Sequence, residues 1–152
     1  MQLSAHISLK EFTATSHADI ANDLPVELYP EAKATCAVAD EVRALLCEKA
    51  GKDIPILPSS GYRCLELNRA VGSKDTGDHP KAKALDFKAP AFGTPFQVAT
   101  AIAEAIKLGN LPGVGQVIYE GTWVHIGTSV QANPVNRIIT SRNGGYIPGI
   151  VA

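Results

Sequence analysis

His79, Asp86 and His125 stand in two short segments, GDHPKAKALDF and TWVHIG, and carry the side chains that a catalytic zinc site takes. Such a site uses three nitrogen or oxygen ligands from the protein and leaves the fourth position to water. Zinc lowers the pKa of that water from about 15.7 to about 7, which makes a nucleophile available near neutral pH for attack on a carbonyl carbon. An amide bond is then a reasonable target, and the chain reads as a hydrolase.

The spacing alone is weak, because about one chain in five with this many His and Asp residues would contain a His-x6-Asp pair by chance. The surroundings add more. Side chains alternate across a strand, so in AKALDF residues Leu85 and Phe87 point one way while Ala84 and Asp86 point the other. In TWVHIG, Val124 and Ile126 share one face and Trp123 and His125 the opposite one. Each segment offers an apolar face to a core and a polar ligand away from it. Taken singly, each residue also has an ordinary structural role open to it: a hydrogen-bonded strand histidine, or an aspartate paired with Lys83 or Lys88.

A longer stretch, SSGYRCLELNRAVGSKDTGDHPKAKALDF, resembles the signature of the zinc D-Ala-D-Ala carboxypeptidase and L-Ala-D-Glu endopeptidase family of cell-wall peptidases. Ser60, Gly61, Tyr62 and Arg63 match its Ser-Gly-Tyr-Arg element, and Asn68, Val71 and Gly72 match its Asn-x-x-Val-Gly element. His79, Ala84 and Asp86 match Ser-x-His-x-x-Gly-x-Ala-x-Asp, and Trp123 with His125 matches the late Trp-x-His. Upstream, ISLKEFTATSHADIANDLP is similar to the opening segment of one branch. The resemblance implies a zinc peptidase acting on peptidoglycan stem peptides, as an L-Ala-D-Glu endopeptidase or a D-Ala-D-Ala carboxypeptidase. The family includes many bacteriophage lysins, so it also implies a lytic role. Two positions depart from the pattern: Gly77 replaces the serine before the first His, and Ala82 replaces a glycine. Alanine is expected to follow the turn at that glycine only with a negative φ.

Catalysis also needs a group that takes a proton from water and passes it to the leaving amine. Glu120 is the candidate, five residues before His125 at the end of QVIY, where a hairpin through Glu120 and Gly121 returns the chain into TWVHIG. Asp78, next to His79, is the reserve. Arg63, placed at the end of a strand, is the candidate electrophile, since the resemblance implies a hydrogen bond to the substrate and a guanidinium is a permanently charged planar fork. Its structural alternative is an ion pair with Glu66. Specificity is expected from loops near residues 73–82 and 110–116.

With 152 residues, 45% of them hydrophobic, the chain can bury a core and has little room for a second domain, so residues 1–152 are read as one zinc peptidase-like domain. Fourteen basic and fifteen acidic residues leave a net charge of -1, which gives no footprint for nucleic acid and no polybasic membrane patch. No apolar window reaches a membrane span and MQLSAHISLKEFTAT lacks the marks of a signal peptide, so synthesis in the cytoplasm is expected, with action at the wall after release. A monomer is expected. The three cysteines are expected to stay reduced, Cys36 and Cys47 as small hydrophobes on one helix face and Cys64 at the start of the next helix.

The elements that must position these residues follow from pattern. Ser8-x-x-Glu11 is a capping box, and residues 31–50 form a long helix with Ala34, Val38, Val42, Leu45 and Leu46 near one face, ended by Gly51. IPIL reads as a buried strand, CLELNRAV as a short helix, and a second long helix runs from Thr94 to Leu108. A hairpin, a strand near RIITS and a Gly-rich tail follow. Helices first and strands later imply an α+β fold, with an antiparallel sheet flanked by helices and carrying the ligands on its open face. The family resemblance implies the same architecture, shared with the hedgehog domain. Besides the enzyme, a zinc-stabilised wall-binding or virion module without turnover fits the same residues.

Overall fold

The computed structural model covers Met1–Ala152. After a short N-terminal helix α1 (Leu9–Phe12), closed by the expected Ser8–Glu11 capping box, the chain enters α2 (Tyr29–Ala50). This helix starts two residues earlier than the sequence pattern suggests, with Pro30 in its first turn, where a missing N–H matters little. It stops at Gly51, whose φ of 66° allows the left-handed cap. Its buried stripe is Ala32, Thr35, Cys36, Ala39, Val42 and Leu46, while Ala34 is exposed. The expected face is therefore rotated: small residues let α2 lie close to the sheet, and the bulkier Val38 and Leu45 sit at its margin.

Six strands follow: β1 (Leu57–Ser60), β2 (Ala84–Lys88), β3 (Gln116–Tyr119), β4 (Val124–Gly127), β5 (Ile138–Arg142) and β6 (Gly145–Pro148). They form one sheet in the order β1-β2-β4-β3-β5-β6. Every neighbouring pair is antiparallel except β3 and β5, which run parallel. The chain makes that pairing possible by crossing from β4 through Thr128–Arg137 to the far side of β3. Two expectations shift. IPIL does not form the first strand: Ile54 and Ile56 bury in the core ahead of the ladder, pairing begins at Leu57, and that residue is exposed. The Gly-rich tail is not a tail but contains β6.

The other helices are α3 (Leu65–Ala70), which lies beside the site, and α4 (Pro95–Lys107). Thr94 and Gln97 cap α4 reciprocally. It buries Val98, Ile102 and Ile106, and with α2 it covers one face of the sheet. Leu85, Phe87, Val117, Val124 and Ile126 point from the strands into that layer, and all are essentially inaccessible. The opposite face of β2, β4 and β3 is left open for polar groups.

Candidate metal centre

Asp86 and His125 are directly opposite each other on β2 and β4, both in mid-strand. The alternation that sends Leu85 and Phe87 into the core turns Asp86 outward, and the same alternation acts on His125 between Val124 and Ile126. His79 comes from the loop before β2, in a single 3-10 turn (His79–Lys81). Each is over nine-tenths buried, with 7%, 4% and 8% exposure for His79, Asp86 and His125. Asp86 Oδ1 lies 2.9 Å from His125 Nδ1 and 3.4 Å from His79 Nε2.

This donor set fits a cation. His79 Nδ1 donates to the Gly61 carbonyl at 2.6 Å, which leaves Nε2 as the lone-pair nitrogen of a neutral ring. That lone pair faces a carboxylate oxygen, so two acceptors meet unless a positive charge lies between them. The candidate ligand atoms lie within 4.8 Å of one another, and neighbouring ligands around tetrahedral zinc stand about 3.3 Å apart. Burial acts to raise the pKa of Asp86, but positive charge on its histidine side, with the His125 hydrogen bond the strongest single contact, outweighs it and holds the carboxyl well below the usual range.

Arg63 extends the arrangement outward. Its Nη2 donates to Asp86 Oδ2 at 3.2 Å, so the ion pair is made with Asp86 and not with Glu66, Lys83 or Lys88 in either role. Nε donates to Ser60 Oγ, and Nη1 to both Asn68 Oδ1 and Ser73 Oγ. One Nη2 hydrogen remains uncommitted. A bulge at Ser59 sets Ser60 opposite Asp86 and delivers that hydroxyl to the guanidinium. Asn22, which the sequence pattern did not single out, clamps the same segment: its side chain donates to Thr13 O and Tyr62 O and accepts from Cys64 N. A buried asparagine with its three bonds satisfied is a structural signal, but only its environment reveals it. Gly61 is needed because a side chain there would run into the Phe12 backbone and ring.

Glu120 closes the β3–β4 turn, its N–H donating to Trp123 O, and its side chain lines the same cleft as the three buried residues. Burial pushes its carboxyl up; the charge of Asp86 adds to this, while His125, His79 and the Ser141 hydroxyl oppose it. Asp78 also lines the cleft, but its Oδ1 is held by Ser129 Oγ at 2.8 Å. Its other oxygen lies on the outer side of His125, where a Cβ on Gly127 would sit 3.2 Å from Asp78 Oδ2 and 3.6 Å from His125 Nε2. Glycine leaves both groups room.

The turn after His79 corrects one expectation. Ala82 adopts φ 59°, ψ 29°, the left-handed conformation itself, not a negative φ. The fold holds it there: its N–H bonds to His79 O, and its carbonyl accepts from Thr35 Oγ1 of α2 at 2.8 Å. Gly77 leaves the loop closed by a bond to Lys74 O.

The cleft has a volume of about 930 Å³, and only four of its twenty lining residues are hydrophobic, so it suits a polar ligand. Of the expected 73–82 loop, Ser73, Lys74, Thr76, Gly77, Asp78 and His79 form part of its wall, whereas of 110–116 only Gln116 reaches it. Gly144, Gly145 and Tyr146 line it from β6 and its turn, and were missed because the tail was read as irregular. Trp123 lines the cleft, Tyr62 is buried, and Tyr119 packs edge-on against Phe96. The cysteines stay outside this chemistry. Cys36 is buried with its thiol pushed up to about 12 by desolvation and by Asp40 and Glu11, and Cys64 caps α3.

No helix is long and apolar enough to cross a membrane. No curated protein matches the chain. The family model described as Peptidase M15 matches residues 5–127, which include all the groups of the buried cluster. The chain therefore belongs to the M15 peptidases, the zinc peptidase family that includes D-Ala-D-Ala carboxypeptidases and L-Ala-D-Glu peptidases.

Proposed function

We propose that the protein is a zinc-dependent peptidase that hydrolyses peptidoglycan stem peptides, cutting either between L-Ala and D-Glu or before a terminal D-Ala, in the service of cell-wall lysis. The observation that carries this reading is a buried His-Asp-His cluster sharing one polar cleft with a half-buried glutamate, in a chain of peptidase family.

In this reading His79 Nε2, Asp86 and His125 Nδ1 hold the zinc. When bound, the ion supplies Lewis acidity and brings the pKa of water down to about 7. Glu120 accepts a proton at a carboxylate oxygen and delivers it to the departing amide nitrogen; its partial burial favours that transfer by bringing its affinity for a proton nearer to neutrality. Arg63 acts twice. Three of its bonds anchor it to Ser60, Asn68 and Ser73, a fourth orients Asp86, and the remaining Nη2 hydrogen is directed to the substrate carbonyl. Asn68 in turn binds Lys74 O, tying the arginine to the loop that walls the cleft.

The test is release of new amino groups from purified peptidoglycan by the zinc-loaded protein, with a chelated control and mass spectrometry of the products. Cleavage that the chelator stops supports the reading and names the bond. Zinc retained without cleavage favours the non-catalytic wall-binding or virion module.

A further inference from the structure

The segment matched by the family model ends at Gly127, yet the cleft has a wall beyond it. Besides Gln131 in the crossing from β4, that wall is the β5–β6 hairpin. Its turn is the dipeptide Asn143-Gly144, with φ of 53° and 76°, between the paired residues Arg142 and Gly145. Two consecutive positive φ values in a two-residue loop are the type I′ geometry that matches strand twist and fixes register. The register then decides which side chains face the cleft, because a slip of one residue would turn every side chain to the opposite face.

In the observed register Tyr146 is opposite Ser141, and the parallel pairing of Tyr119 with Thr140 brings Ser141 alongside Glu120. Ser141 and Tyr146 are thereby on the face that carries Glu120 and His125. Tyr146 is 61% exposed and lines the cleft. Burial and the charges of Glu120 and Asp86 push its phenol up, which keeps it an O–H donor. Strand order puts Tyr146 on one edge strand while Arg63 follows the other, so a peptide lying across the strands between them passes over the buried cluster.

We propose that Tyr146 is a substrate-contacting residue, its phenol donating a hydrogen bond to a carbonyl oxygen of the peptide in this cleft, and that it helps determine which peptides are accepted. The proposal rests on the peptidase reading above. Its test uses the zinc-loaded 152-residue chain, a soluble stem peptide, and two measurements: steady-state hydrolysis, and calorimetric binding in a Glu120→Gln background chosen to slow turnover. Tyr146→Phe keeps the ring and removes only the hydroxyl. The expected result is a KM about tenfold higher with kcat within about twofold, the pattern of a contact made equally in ground and transition states. Binding should weaken by the same factor of about ten, with zinc content and thermal midpoint unchanged. KM and Kd that do not move in Tyr146→Phe overturn the proposal. If the unmutated chain cleaves nothing yet binds the peptide, and Tyr146→Phe weakens that binding, the peptidase reading fails and the contact stands. If it neither cleaves nor binds, both fall.

Discussion

The candidate metal centre is held in two different ways. Asp86 and His125 sit opposite each other in the interior of a ladder, each flanked by residues locked into the core. His79 belongs to a loop held by individual bonds outside any ladder, among them Nδ1 to Gly61 O, Arg63 N to His79 O, and Thr35 Oγ1 to Ala82 O. A ladder spreads the cost of any distortion over many backbone bonds, whereas a tethered loop concentrates it on single groups. Damage to the strand half should abolish the site, and damage to the loop half should loosen it by degrees.

The largest effect is expected from Asp86→Ala. It removes a candidate ligand and leaves the half-buried Arg63 without its ionic partner, a loss that stays below the about 3–5 kcal/mol of a fully buried pair because Ser60, Asn68 and Ser73 still hold the guanidinium. Zinc content should fall to background and the thermal midpoint should drop in metal-free buffer; a melt unchanged without zinc would show that Arg63 finds other compensation. Next comes Glu120→Gln. Hydrolysis should fall by about 10²–10⁴-fold while zinc, measured by elemental analysis, stays at the level of the unmutated chain. Retained turnover would move the proton-transfer role to Asp78.

Thr35→Val probes the tether. The substitution nearly preserves shape but strips Ala82 O of its side-chain donor, at about 1–3 kcal/mol. Zinc affinity by competition with a chromogenic chelator should weaken several-fold without being lost. If it fell as far as in Asp86→Ala, the contrast between ladder and loop would collapse. The smallest effect, with the opposite sign, is expected from Ala82→Gly. A left-handed alanine is strained by about 1 kcal/mol or more, partly offset by the greater entropy glycine loses on folding and by the loss of a buried methyl. Calorimetry should show a midpoint higher by about 1–3 °C.

The strand half was legible in the sequence because period-two alternation is local: Leu85-Asp86-Phe87 and Val124-His125-Ile126 display their own faces. Glu120 was legible for the same reason, as the residue where one such strand turns back. What could not be read was pairing between distant segments. Whether Arg63 met Glu66 or Asp86 depended on a bulge at Ser59, and Asn22 acquired its role only when the N-terminal segment packed beside Tyr62. The rotation of the α2 face has a similar origin, since Thr35 is buried to reach a carbonyl 47 residues away. The β6 strand is different, because its Asn-Gly turn between strand-forming residues was a usable signal that the nearby glycines obscured.

The two edge strands of the sheet, β1 and β6, each contain a proline, Pro58 and Pro148. An unprotected edge offers a row of N–H and C=O groups on which another chain can build, and proline, which has no N–H to give, interrupts that row. The open face can therefore remain accessible to a ligand while the sheet resists growing by strand addition, so a concentrated solution of this protein should stay free of fibrils.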